Sequence, residues 1–169
     1  MNKLRIALSI GMPVILFTLF APPARAQDWA KARLDKSPRH QEWVKVKQGA
    51  RTVNAFIVYP EVKNKATAVV VIHEIFGMSD WVRTVADQLA EAGYIAIAPD
   101  LLSGMAPGGG GTADFKDNTA IGQTIRDLPP DQITADLNAV ADYVSKLPAA
   151  NGRRPISAAT RAAAGRVSL

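Results

Sequence analysis

The residues best suited to chemistry form the run His73-Glu74-Ile75-Phe76-Gly77, directly after a short apolar stretch. Glu74 supplies a carboxylate, and backbone N–H groups in a tight loop can stabilise a negatively charged oxygen. Such an oxygen forms when an ester carbonyl is attacked, and losing one N–H donor typically costs roughly 3 kcal/mol. From the residue types alone, a solvated loop carboxylate beside a turn histidine explains the run equally well.

Three apolar patterns predict the elements that position this loop. Residues Ala68–Ile72 are apolar and mostly β-branched, which predicts a strand buried on both faces. Residues 81–92 carry apolar side chains at helical spacing, and residues 94–98 predict a second buried strand. Strand, helix and strand in this order imply parallel pairing. The loops at 73–77 and 99–104 therefore meet at the carboxyl edge of the sheet, where binding sites form.

The segments VVVIHEIFG and GYIAIAPDLLSG resemble the dienelactone hydrolase family of α/β-hydrolases. The resemblance covers roughly residues 44–152. It implies an α/β fold class: a partial α/β-hydrolase fold whose mostly parallel sheet carries an N-terminal antiparallel hairpin. It also implies a carboxylic ester or lactone hydrolase that acts on a small substrate and uses no cofactor.

The same resemblance assigns roles to individual residues. The Ile75 N–H group is implied as a donor to the oxyanion, and Glu74 as a carboxylate that contacts the nucleophile. We expect His73, Phe76 and Leu102, which lie in the two loops, to contact the substrate.

Other parts of the family's site are missing from the sequence. No G-x-[SC]-x-G nucleophile elbow occurs, and Ser79 fits a helix cap better than a nucleophile. His73 precedes the place of the nucleophile, whereas the histidine of this fold follows it, so His73 is not expected to act as the base. Gly104 stands where archetypal relatives carry an arginine that holds a substrate carboxylate. We therefore expect the C-terminal half of the fold to be missing and the chain as given to be inactive.

The N-terminus has the pattern of a secretory signal peptide at residues 1–26. Lys3 and Arg5 precede an apolar stretch, and Ala24-Arg25-Ala26 matches a cleavage site. A membrane anchor is the alternative, although the apolar stretch is short for a span. We expect cleavage after Ala26, a periplasmic or secreted protein, and no membrane contact afterwards.

After the leader we expect an exposed lead-in at residues 27–41 and a hairpin of strands at 42–48 and 52–59. The glycine-rich segment at 103–112 lacks the lysine that a phosphate loop needs, so we predict a flexible loop on the active-site side. A helix follows at 131–147.

Composition excludes several classes of function. The formal net charge is +5, yet much of the excess lies in the leader and in the last seventeen residues, which argues against nucleic-acid binding. The sequence has no cysteine and only two isolated histidines, His40 and His73, which predicts no metal site.

The sequence changes character after Gly152. A strand and a nucleophile elbow are due, but RRPISAATRAAAGRVSL follows. We expect the α/β domain to span residues 42–152 and an aberrant, disordered tail to span 153–169. Read one nucleotide earlier, the codons of residues 158–164 can encode Gly-Tyr-Ser-Gly, so a shifted reading frame is one hypothesis and a natural short tail the other.

Two functions remain open from the sequence. One is a truncated hydrolase of the resembled family. The other is a non-catalytic secreted α/β domain that binds a small ligand or a partner through residues 73–77.

Overall fold

The computed structural model describes residues 24–159, with side chains from Asp28 onward. The helices are α1 (Ala24–Asp35), α2 (Asp80–Glu91), α3 (Asn118–Arg126) and α4 (Pro130–Ser145). The strands are β1 (Gln41–Gln48), β2 (Arg51–Val58), β3 (Ala68–Ile72), β4 (Ile95–Pro99) and β5 (Ile156–Ala159). Short 3₁₀ turns occupy Pro107–Gly109 and Thr112–Asp114. Within this part of the chain, no helix has the length and apolar character needed to cross a membrane.

The five strands form one mixed sheet in the order β1-β2-β4-β3-β5. β1 and β2 form the expected antiparallel hairpin, in which Gln48 pairs with Arg51 around a two-residue turn. β2 runs antiparallel to β4, whereas β3 pairs parallel with both β4 and β5. The predicted strand-helix-strand unit is therefore confirmed, within one residue at each end of β4 and α2.

Both faces of the sheet are covered, which is why every residue of β3 and β4 is buried. Helices α1 and α2 lie over one face. Their apolar side chains form one core with Phe56, Val71 and Ala98 of the sheet. Helix α4 packs on the other face, against side chains such as Ile57 and Ile97. Such a layered arrangement gives two apolar cores separated by the sheet.

The lead-in predicted at residues 27–41 forms helix α1 as far as Asp35, and most of its described residues are exposed, but one apolar stripe is buried. Ala30 and Leu34 are one helical turn apart and are buried, and the Thr84 hydroxyl of α2 donates to the Ala30 carbonyl at 3.1 Å. The many polar residues of this segment lie on the outer face and hide this short apolar stripe from sequence inspection.

A buried carboxylate ties the end of α1 to α2. Asp87 is fully buried and accepts hydrogen bonds from the Arg39 guanidinium at 2.9 and 2.7 Å, and also from the Ser37 hydroxyl. Burial alone would raise the pKa of Asp87, but the bonds from Arg39 and Ser37 outweigh it, so the pKa is lowered.

The prediction of an aberrant, disordered tail at residues 153–169 is wrong for residues 156–159. Ile156 to Ala159 form β5, which continues the sheet parallel to β3, with Val69 opposite Ile156. The chain is led there by Asn151, whose N–H donates to the Ala66 carbonyl and whose side chain donates to Thr67. A backbone ladder needs no β-branched side chains, so an alanine-rich stretch can fill the place. Residues 160–169 of the predicted tail and residues 1–23 of the predicted signal peptide lie outside the described part.

We predict that Asp87→Asn destabilises the fold by about 3 to 5 kcal/mol, because it leaves the buried Arg39 cation without its counter-charge. The wild-type contribution should also be lost as pH falls through the lowered pKa of Asp87, since the unfolded state binds the proton first. Urea unfolding at several pH values measures both effects.

The exposed pair Lys31–Asp35, which joins charged atoms 2.8 Å apart on α1, provides the control. Asp35→Asn should change the free energy of unfolding much less than Asp87→Asn, because solvent screens this exposed pair. Equal losses in the two variants would contradict the structural role given to Asp87.

Candidate functional site

The loop after β3 makes a tight turn at the carboxyl edge of the sheet. The Gly77 N–H donates to the Glu74 carbonyl at 3.0 Å, and Ser79 then caps α2 by accepting from the Val82 N–H, as predicted. Gly77 has φ of +68°, and a Cβ at this position would lie 2.6 Å from the Thr112 hydroxyl oxygen. Only glycine fits this turn without displacing Thr112.

His73 fastens the start of this loop to the loop after β4. Its side chain is buried, its Nε2 atom lies 3.2 Å from the Leu101 N–H nitrogen, and its Nδ1 atom lies 3.0 Å from the Glu74 carbonyl. A backbone N–H can only donate and a carbonyl can only accept, so Nε2 is unprotonated and Nδ1 carries the proton. Burial lowers the pKa of His73, although the Glu74 carbonyl and Asp100 act in the opposite direction. The histidine is therefore a neutral bridge between two backbone segments.

A second bridge runs through Thr112. Its hydroxyl donates to the Asp100 carboxylate at 2.7 Å and accepts from the Met78 N–H at 3.1 Å. Asp100 is buried and also accepts from the N–H groups of Thr112 and Leu102. One carboxylate thus holds the glycine-rich segment, the β4 loop and the end of the β3 loop together.

Glu74 and Ile75 lie between these two bridges, and both side chains are partly exposed. Burial raises the pKa of Glu74, while hydrogen bonding to the backbone N–H groups of Ile75 and Phe76 acts to lower it. The Glu74 carboxylate therefore lies near two consecutive N–H groups of its own loop. Backbone N–H groups in such a loop can stabilise a negatively charged oxygen.

The residues expected to contact substrate differ in exposure. Phe76 is 48% exposed, whereas His73 and Leu102 are buried beneath the loops. Both ring nitrogens of His73 are already engaged by backbone groups. Phe76 is thus the residue of the three whose side chain reaches solvent at this edge.

The serine hydroxyls near the site have structural partners. Ser103 is buried, donates to the Asp100 carbonyl and accepts from the Asn54 N–H, and Ser79 caps α2. Among residues 24–159, no serine hydroxyl is hydrogen-bonded to a histidine. The described part of the chain can therefore present an oxyanion loop and a carboxylate, but it does not contain an activated serine.

Sequence reasoning missed Thr112 and the central role of Asp100. Thr112 follows a run of four glycines and lies 34 residues from Met78, so no local pattern links the two. For Asp100 a signal existed, because a carboxylate directly after a buried strand sits at the edge where parallel-sheet sites form.

The mixed sheet, with helices on both faces and a loop held at the carboxyl edge of a central parallel strand, places the chain in the α/β class. Comparison with known families then places the chain more closely, because the model of the dienelactone hydrolase family matches residues 53–155. The chain belongs to the dienelactone hydrolase family.

Individual relatives match over part of their length. A Salmonella typhi protein assigned as a carboxymethylenebutenolidase is 35% identical over 94 residues, which cover 54% of this chain and 33% of the relative. The Escherichia coli K12 hydrolase fragment YghX is 45% identical over 56 residues, covering 32% of this chain and 48% of the fragment. The chain thus spans about a third of the length of the Salmonella relative that it matches.

The fold also matches solved structures. The structure assigned as a dienelactone hydrolase from Klebsiella pneumoniae superposes with a TM-score of 0.61 at 23% identity, covering 72% of this chain and 49% of that one. At this identity the match supports the fold.

We predict that Gly77→Ala destabilises the protein more than Gly49→Ala, by at least about 1 kcal/mol. Both positions have positive φ, so both variants pay the cost of a left-handed alanine. Only Gly77 also meets the Thr112 side chain, whereas a Cβ on Gly49 has open space. Urea unfolding compares them, and equal losses would show that the contact with Thr112 does not constrain the turn.

We also predict that His73 stays neutral, with the proton on Nδ1, when the pH falls from 7 to about 5.5, below the ordinary histidine pKa of about 6.5. Nitrogen NMR of the imidazole ring reports both its charge and which nitrogen carries the proton.

The lowered pKa of His73 also has a consequence for stability. The unfolded state takes up the proton first, so the free energy of unfolding should fall as pH drops below about 6.5. A His73 ring that becomes charged within this pH range would contradict the bridging geometry.

Proposed function

We propose that this chain contributes the oxyanion-stabilising half of a dienelactone-hydrolase-type site, whose whole protein hydrolyses a small carboxylic ester or lactone. The observation that carries the proposal is the tight turn from Glu74 to Gly77, which the His73 and Thr112 bridges hold at the carboxyl edge of β3 and whose Ile75 and Phe76 N–H groups lie near the Glu74 carboxylate. In this fold one donor to the developing oxyanion comes from such a loop, and the other is the N–H of the residue after the nucleophile. Family membership supports the reaction class.

We further propose that the chain as given does not turn over esters. In support, its 169 residues contain no G-x-[SC]-x-G elbow, and the two serines near the loop, Ser79 and Ser103, are engaged in structural hydrogen bonds. Hydrolysis by this family's fold requires the nucleophile and base in hydrogen-bond contact.

Export is part of the same proposal. The basic start, the apolar stretch and the Ala24-Arg25-Ala26 site support a cleaved signal peptide and a periplasmic or secreted location. Cleavage after Ala26 would remove the first three residues of α1 and keep the buried Ala30 and Leu34.

Removing the Glu74 carboxylate from the loop tests the proposed function. In Glu74→Ala the two N–H groups lose their carboxylate, so added acetate should bind there and shift the amide NMR signals of Ile75 and Phe76 saturably. The wild type should show no such shift, because Glu74 competes as a tethered carboxylate. Glu61→Ala, which removes an exposed carboxylate outside the loop, is the matched control.

Two results would contradict the proposal. One is the absence of any acetate-dependent shift at Ile75 and Phe76 in Glu74→Ala. The other is ester turnover by the wild-type chain that Glu74→Ala abolishes, since that would require a mechanism without an elbow nucleophile.

We also propose that the reading frame shifts near the end of the chain. The proposal is supported by the position of β5 beside β3, where a further parallel strand of the sheet is due, and by the codons of residues 158–164, which can encode Gly-Tyr-Ser-Gly when read one base earlier. Resequencing the gene decides this. A G-x-[SC]-x-G sequence in the earlier frame is expected, and its absence there would refute the shift.

A further inference from the structure

A cleft opens at the edge of the sheet that also carries the loop of residues 73–77. It lies on the far side of β4 from that loop. β2 runs antiparallel to β4, so the beginning of β2 at Arg51 lies beside the end of β4. The cleft has a volume of about 460 Å³, and Lys45, Lys47, Arg51 and Ser103 contribute to its lining. It is therefore large enough for a small polyatomic ion.

The charged residues that line this cleft are all cations, and two of the three have no carboxylate partner among the described residues. Lys45 and Lys47 are exposed and lie opposite Asn54 and Thr52 in the β1–β2 ladder, so their side chains share one face. The Lys47 ammonium donates to the Thr52 hydroxyl at 2.8 Å, whereas Arg51 is paired with Asp136. The two lysines repel each other, and a bound anion would relieve that repulsion.

Arg51 is held in place with one group available. Its Nε atom donates to Asp136 at 3.1 Å, and its Nη2 atom donates to the Leu101 carbonyl at 2.8 Å. Within residues 24–159 the Nη1 atom has no hydrogen-bond partner, and it would lie 3.9 Å from a Cβ placed on Gly104. Because Gly104 has no side chain, the approach to Nη1 stays open. A guanidinium fixed on two sides loses little entropy when it binds an oxyanion with the third.

Charged side chains on an edge strand also hinder pairing with other chains, and this explains Lys45 and Lys47 on β1. It does not explain Arg51, which lies on the inner strand β2 and points its free group at the same cleft. Cations from two strands thus line one cleft, and this arrangement favours a bound anion.

We propose that this cleft binds a divalent oxyanion of phosphate size, with Arg51 Nη1 and the ammonium groups of Lys45 and Lys47 as donors. Because Arg51 is already paired with Asp136, the two lysines supply the unpaired positive charge, and two such charges match a dianion better than a monovalent carboxylate. The ion can be free phosphate or the phosphate group of a small ester, since both present the same oxygens. The proposal does not depend on the function proposed for residues 73–77.

The test is an NMR titration of the whole chain with inorganic phosphate at mildly alkaline pH, where the dianion predominates. The amide signals of Asn54, Ser103 and Gly104 should shift saturably. Glycerol phosphate in a second arm distinguishes an esterified phosphate from the free ion, and acetate in a third arm measures the monovalent anion.

Two variants locate the binding. Lys45→Gln combined with Lys47→Gln should weaken phosphate binding about threefold to thirtyfold, with no loss of buried contacts. Lys63→Gln combined with Lys65→Gln removes the same charge from an exposed turn and should change binding less than about twofold. Arg51→Gln alone would leave the buried Asp136 without its partner, so it is paired with Asp136→Asn, and this double variant should also weaken binding.

The proposal is overturned if neither phosphate probe shifts the cleft amides saturably, or if acetate binds as tightly as phosphate. The proposal would also be overturned if the Lys45 and Lys47 double variant and the Lys63 and Lys65 double variant weakened phosphate binding equally. Binding would then follow net charge alone.

Discussion

The hydroxyl of Thr112 is the contact on which the candidate site depends. It donates to the buried Asp100 and accepts from the Met78 N–H, so one oxygen atom joins the loops that follow β3 and β4. A buried hydroxyl with both partners satisfied is rigid, because moving either loop leaves a polar group unpaired in the interior. The His73 bridge fixes the other end of the same loop. Between the two bridges, the N–H groups of Ile75 and Phe76 have a fixed direction before any ligand arrives.

This arrangement follows from the topology of the sheet. Parallel strands β3 and β4 end at one edge, and the antiparallel β2 begins there. The oxyanion loop and the cationic cleft therefore lie at one edge, on either side of β4, although their residues come from distant parts of the chain. Because the strands are buried on both faces by α2 and α4, the loops at their ends are the places where backbone groups remain available.

The sequence predicted the elements whose patterns are local. β3, α2 and β4 were visible because buried strands read as apolar runs and an amphipathic helix repeats at helical spacing. Helix α1 was missed because its packing rests on few apolar residues, among them Ala30 and Leu34, in a polar segment. Strand β5 was missed because its place in the sheet comes from backbone pairing to β3 and not from its alanine-rich side chains. At the site, the loop was recognised from its residue types, whereas Thr112 and Arg51 act through contacts that only the folded chain creates.

Hydrogen exchange of the loop amides tests the central claim most directly. Thr112→Val keeps the shape of the side chain but removes the hydroxyl that joins Asp100 to Met78. The amides of Met78, Ile75 and Phe76 should then exchange faster than in the wild type, while the amides of α4 keep their protection. Thr134→Val, which removes an exposed hydroxyl bonded within α4, controls for the loss of a threonine. Unchanged protection of the loop amides in Thr112→Val would contradict the account.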